Sequence, residues 1–181
     1  KAAAILTADA DRSYVVPSAP GKRSADDIKI TDMLYACCDK AGSGLDFSED
    51  MQLIRERYNG IIEGLGADIS LEEEFETIAS ELKARPAREF AASRGEYLNG
   101  RILAAYLGFE FIDAADVIIF DDKGQLMLEE TIAAVRSRIK DTKYAVIPGF
   151  YGRTVGGYIK TFSRGGSDVT DFFTAYVQKQ Q

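Results

Sequence analysis

Short apolar runs of β type alternate along this chain with longer stretches of helical periodicity, and small turn residues separate the two. Ser13 to Ser18 (SYVVPS) is the first such run, and Ala19, Pro20 and Gly21 turn the chain after it. From Asp26 onward Ile28, Ile30, Met33, Leu34 and Ala36 to Cys38 fall at helical spacing, with Asp26 or Asp27 available as a cap. The period returns in Met51 to Leu65, in Leu71 to Leu82, and after Pro86 as far as Leu107, where Gly108 ends it. Ser70, with Glu73 three places on, predicts a capping box. Phe109 to Asp113, Val117 to Phe120 and Lys143 to Ile147 read as further strands. This alternation predicts a layered α/β fold with a largely parallel sheet, and ligands in such folds gather at the carboxyl ends of the strands.

The chain has 181 residues, 46% hydrophobic and 28% charged, enough for one domain with a real core. Its net charge of -7 is spread along the sequence, which argues against a nucleic-acid partner. The apolar runs fall well short of the roughly 20 residues that a membrane helix needs, so no span is expected. Lys1 and its alanine-rich neighbours soon reach Asp9 and Asp11 and do not read as a signal peptide, so the expected location is the cytoplasm. Histidine is absent, which removes Ser-His-Asp and Cys-His catalysis and most zinc sites. Chemistry then falls to carboxylates, Lys, Arg, hydroxyls and backbone amides. Cys37 and Cys38 are adjacent on a helix, a placement that suits packing as reduced thiols better than redox chemistry.

Four segments hold chemistry-bearing residues. In Thr161 to Thr170 (TFSRGGSDVT), Gly165 and Gly166 stand between Arg164 and the pair Ser167 and Asp168. Glycine amides can face an anion, a guanidinium forks onto a carboxylate, and a helix starting at Ser167 or Asp168 would point its positive end at the same place. Taken alone, this pattern is more often a capped turn. Val15 to Thr31 joins a strand to a helix through small residues. Ser93 to Asn99 (SRGEYLN) puts Glu96 on a helix, where a single carboxylate ordinarily faces solvent. Ile147 to Gly157 (IPGFYGRTVGG) is a glycine-punctuated loop at a strand end, with two aromatics and an arginine.

In this order the segments resemble the aspartate kinase family of the amino acid kinase superfamily. The resemblance rests on VVPSAPGK with KITDMLY, SRGEYLNGRILAAYL with FEFIDAADVI, VIPGFYG, and KTFSRGGSDVT, and it covers nearly all of residues 1–170. It implies a three-layer amino acid kinase-like fold, a mainly parallel sheet between helices, over 1–170, and leaves 171–181 unassigned. The implied activity is phosphoryl transfer from ATP, with Mg2+, to the side-chain carboxylate of L-aspartate, the first step toward lysine, threonine and methionine.

By the same resemblance Arg164 binds a substrate carboxylate and Asp168 organises the phosphoryl-transfer centre, lined by Gly165, Gly166 and Ser167. Glu96 is implicated in holding the substrate amino group, Ser18 and Thr31 are small polar groups around aspartate, and Phe150 and Gly149 lie beside it. The nucleophile is already ionised at neutral pH, so no general base is required. Family members are commonly homodimers. The family's opening KFGG segment and its nucleotide-binding continuation are not recognisable here, so the chain by itself is expected to be inactive. Two alternatives stand beside this reading: another amino acid kinase acting on acetylglutamate or glutamate, and a non-catalytic aspartate-binding fragment.

Overall fold

The computed structural model describes Ala8, residues 13–163, Thr170 and Ala175. Its strands are β1 (Tyr14–Val15), β2 (Glu110–Phe111), β3 (Ile119–Phe120), β4 (Ala145–Val146), β5 (Tyr151–Thr154) and β6 (Ile159–Thr161). Its helices are α1 (Ile30–Gly42), α2 (Ser48–Leu65), α3 (Glu72–Ala84), α4 (Arg88–Leu107), α5 (Ala114–Val117) and α6 (Leu128–Ile139). One sheet has the order β1-β4-β2, parallel throughout, with Tyr14 opposite Ala145 and Glu110 on the other side of Ala145. The other has the order β3-β5-β6, with β3 parallel to β5 and β5 antiparallel to β6.

Helices α1 to α4 enclose one apolar core around Leu34, Ile54, Tyr58, Phe75, Leu82 and Leu98. A second core lies between the strands, α5 and α6, around Ile112, Ile118, Val135, Ile147 and Tyr151. Helix α4 serves both. It lacks the single apolar stripe of a surface helix, and Ala92, Ser93, Gly95, Leu98, Gly100 and Ile102 are all buried on it. A Cβ on Gly100 would stand 2.8 Å from Pro148 Cγ and 3.1 Å from Phe111 Cε2, and one on Gly95 would stand 3.0 Å from Ala19 Cβ. Bare backbone at these two positions lets the segments after β1 and β4 lie directly against the helix.

The helix boundaries correct the sequence reading in two places. Helix α1 begins at Ile30, capped by Lys29 without a side-chain bond, because the Asp27 carboxylate is taken up by Arg23 and Arg57. Helix α3 begins at Glu72 and forms no capping box; Ser70 Oγ accepts only a long bond from Glu72 N, 3.3 Å. Gly108 ends α4 as expected, with φ of 69° and its N–H on the Ala105 carbonyl.

Helices α5 and α6 and the β5–β6 hairpin appear where the sequence reading assigns none, a strand or a loop: Val117, read as the start of a strand, is the last residue of α5, and β3 is confined to Ile119–Phe120. Helix α6 occupies part of 121–142 and is tied to β3 by Thr131, whose hydroxyl oxygen accepts from Ile119 N at 3.1 Å. The glycine-punctuated stretch after Ile147 is half strand: β5 and β6 form a hairpin, and Gly152 lies so close to Ile118 O that a Cβ would sit 2.3 Å from it. Close approach of backbone, rather than a loose turn, is the reason for that glycine.

Candidate active site

Strands β1 and β4 are parallel neighbours, so the segments that follow them leave the sheet at the same edge. They are stitched together there: Ile147 N donates to Val15 O at 2.9 Å and Gly149 N donates to Pro17 O at 3.2 Å. The first half of α4 closes the third side. Asn99 Nδ2 donates to Ser18 O at 2.7 Å, and the backbone N–H of Ala19 hydrogen-bonds the Glu96 carboxylate. Ser18, Glu96 and Gly149 are thereby joined around one point. Thr31 stands half-buried in the first turn of α1, next to Ile30, whose side chain packs on Gly95.

Glu96 is the chemically distinctive member. It is 9% exposed, against the solvent-facing position that a single helix carboxylate ordinarily takes. Desolvation by burial pushes its carboxyl up to about 7, opposed by backbone hydrogen bonds and by the charge of Arg94. One of its oxygens, Oε2, is buried without a hydrogen-bond partner among the described residues. A buried carboxylate with an acceptor to spare is matched chemically by a cationic donor such as an ammonium group.

Phe150 follows Gly149 with φ of 77°, the one described non-glycine residue in the left-handed region. A bulky side chain there is strained, and the surrounding structure must hold it. The hold is a hydrogen bond from Phe162 N to Phe150 O at 2.9 Å. Phe162 stands two residues before Arg164, so the backbone leading to the glycine pair is anchored at Phe150. Arg164, Gly165, Gly166, Ser167 and Asp168 themselves lie outside the described residues. Among the described residues no group of three or more Cys, Asp or Glu side chains is placed to hold a metal ion.

The structure adds three residues to this neighbourhood. Asn99 lies three residues after Glu96, on the same helix face, a spacing that marks it in the sequence. Tyr58, fully buried, donates from its hydroxyl to Gly95 O at 2.8 Å, and nothing local in its sequence signals this. Arg94 is buried with its guanidinium against Phe90, Tyr97 and Tyr151, at 4.8, 4.5 and 5.3 Å from the ring centres. Tyr151 in turn donates to Asp113 Oδ1 at 2.7 Å, and the same oxygen caps α5 through Ala115 N.

No protein-family model matches the chain. It is 32% identical over 181 residues to aspartokinase 3 of Bacillus subtilis, which covers 92% of this chain and 40% of that protein. Among solved structures, the aspartate kinase of Clostridium acetobutylicum superposes with a TM-score of 0.94 at 43% identity, over 98% of this chain and 41% of that one. Escherichia coli aspartokinase III in complex with aspartate and ADP superposes with a TM-score of 0.74 at 23% identity, a likeness of fold. The chain spans about two fifths of the length of these proteins.

Proposed function

We propose, for a chain that is a stretch of an aspartokinase catalytic-type domain, that it supplies the amino-acid-binding side of an enzyme transferring a phosphoryl group from ATP to the β-carboxylate of L-aspartate. The observation that carries this reading is Glu96: a buried carboxylate with an unpartnered oxygen where the two strand-end segments meet.

In this reading Glu96 receives the substrate ammonium, the Ser18 and Thr31 hydroxyls stand around the amino acid, and Gly149 and Phe150 form the wall beside it. Arg164 takes a carboxylate in its planar fork, and Asp168, with Gly165, Gly166 and Ser167, serves the phosphate end. The side-chain carboxylate attacks the γ-phosphorus directly, the bond from that phosphorus to the β,γ-bridging oxygen breaks, and ADP leaves. Catalysis then consists of positioning and charge neutralisation, with Mg2+ carried on the ATP phosphates. In the same reading the reaction is the first step toward lysine, threonine and methionine, and the full-length enzyme works in the cytoplasm as a homodimer.

The test is ADP release by the full-length enzyme with Mg-ATP and L-aspartate, L-glutamate or N-acetylglutamate. Turnover with aspartate alone, lost in Asp168→Ala and reduced at least 100-fold in kcat/KM by Glu96→Gln, is the expected result. Turnover with another acceptor gives the enzyme a different substrate, and none with any acceptor leaves a binding module.

A further inference from the structure

The segment between β1 and α1 carries Ser18 and delivers Thr31, yet it has little apolar anchorage of its own. Residues 21–26 are exposed, and Ile28, the aliphatic residue closest to α1 in this stretch, is 58% exposed. Its near end is fixed by the bonds at Pro17, Ser18 and Ala19. Its far end is fixed by a charge. Arg57 on α2 is 7% exposed, and its Nη2 donates to Gly21 O at 2.6 Å while Nη1 pairs with Asp27 Oδ2. Asp27 also accepts from Arg23 N at 2.8 Å and from Arg23 Nη2 at 3.0 Å, and Asp27 N donates to Ser24 O. One guanidinium therefore holds both feet of a small turn, at Gly21 and at Asp27. The turn stands between the residue that contacts Glu96, Ala19, and the first residue of α1.

We infer that Arg57 is a positioning residue for aspartate binding: through Gly21 and Asp27 it fixes the geometry of the segment that presents Ser18 and Thr31 to the substrate. The inference rests on the aspartate kinase reading, and in it Arg57 acts through Gly21 and Asp27 rather than on the substrate. A planar fork engaged on two partners at once is not reproduced by an ammonium, so lysine at 57 is a poor substitute. Because the clamp orders a binding wall rather than the reacting groups, its loss appears in KM for aspartate and little in kcat or in KM for ATP.

The experiment uses the full-length enzyme and the variants Arg57→Met, Arg57→Lys, Asp27→Asn and the Arg57→Met/Asp27→Asn double. The expected result is a 5- to 20-fold rise in KM for aspartate in Arg57→Met, with kcat within twofold of wild type. Asp27→Asn should show a smaller rise, Arg57→Lys should recover only part of the loss, and the double variant should be no worse than Arg57→Met. A second readout is independent of turnover: trypsin cleaves after Lys22 or Arg23 at least five times faster in Arg57→Met, and saturating aspartate slows the cut. If Arg57→Met does not fold, Asp27→Asn, a near-isosteric change at the other end of the clamp, carries both readouts. Unchanged KM and unchanged cleavage in folded variants overturn the inference, as does a loss confined to kcat. A wild-type enzyme that turns over no acceptor overturns the reaction assignment instead, and the cleavage rates still decide whether Arg57 holds the turn.

Discussion

At the scale of single residues, Glu96 links stability and binding through one proton. Its folded carboxyl titrates near 7, against an ordinary 4.5, so between these values the folded protein holds a proton that the unfolded chain has released. Its contribution is therefore fully present below about pH 4.5 and is lost as pH rises toward 7, by about 3 kcal/mol at most. Ammonium binding draws on the opposite form. Apparent affinity for aspartate should rise with pH up to about 7 and then level off, and bound substrate should pull the carboxyl back down. Glu96→Gln should abolish both trends, weakening aspartate binding while flattening the pH dependence of thermal unfolding. Aspartate KM and melting temperature measured from pH 5.5 to 8.5 check this, and a KM profile unchanged in Glu96→Gln would remove Glu96 from ammonium binding. Burial is what makes this residue unusual, and SRGEYLN alone does not show it: the lining comes from Ala19 and Tyr58, remote in sequence. Phe150 is similar, since its left-handed backbone is held by Gly149 N donating to Pro17 O and by Phe162 N donating to Phe150 O, both partners remote in sequence.

At the scale of elements, legibility follows how local the causes are. Helices α1 to α3 could be read because each carries its own apolar period, and α4, which has no such stripe, because Pro86 and Gly108 bracket it, Gly108 in the left-handed conformation that stops a helix. The start of α1 could not be placed, because Asp27 is claimed by Arg57 from thirty residues away rather than by the helix it precedes. The β5–β6 hairpin was hidden for a related reason: its glycines read as loop, whereas Gly152 is there to let β5 lie against Ile118. Glycines in helices divide the same way. Gly60, mid-way along α2 with nothing within 4 Å of a built Cβ, is replaceable, and Gly60→Ala should stabilise by about 0.5–1 kcal/mol. Gly100→Ala drives a methyl into Pro148 and Phe111 and should cost about 1–3 kcal/mol. Since Pro148 leads into Gly149 and Phe150, the same change should weaken aspartate binding, which Gly60→Ala leaves alone. Chemical denaturation and aspartate titration of both variants separate these outcomes.

For the whole molecule the question is whether the two larger apolar cores among the described residues behave as one folding unit. The helical core and the strand core meet along α4, where Tyr97 packs against both. Across the seam Lys160 of β6 pairs with Glu89 of α4 at 2.6 Å, and the Arg85 guanidinium lies 3.7 Å from the centre of the Tyr158 ring. A half-exposed ion pair contributes only about 0–1 kcal/mol and a cation–π contact at the surface about 0.5–1 kcal/mol, so the two align the hairpin without binding the cores together. Shared burial on α4 is the stronger link, and it reaches the site directly, because Glu96 and Asn99 lie on the stretch both cores grip. Phe75 tests it from a distance. It is fully buried on α3, its ring 6.3 Å from Tyr58, which supports Gly95. Phe75→Ala should cost about 3–5 kcal/mol by cavity formation in the helical core alone. If the molecule opens as one unit, the slowest-exchanging amides of β4 and of α1 lose protection by the same factor in hydrogen exchange. Loss in α1 with β4 unchanged would mean that the two cores open independently, and that the site at their junction can come apart while the strands beneath it stay folded.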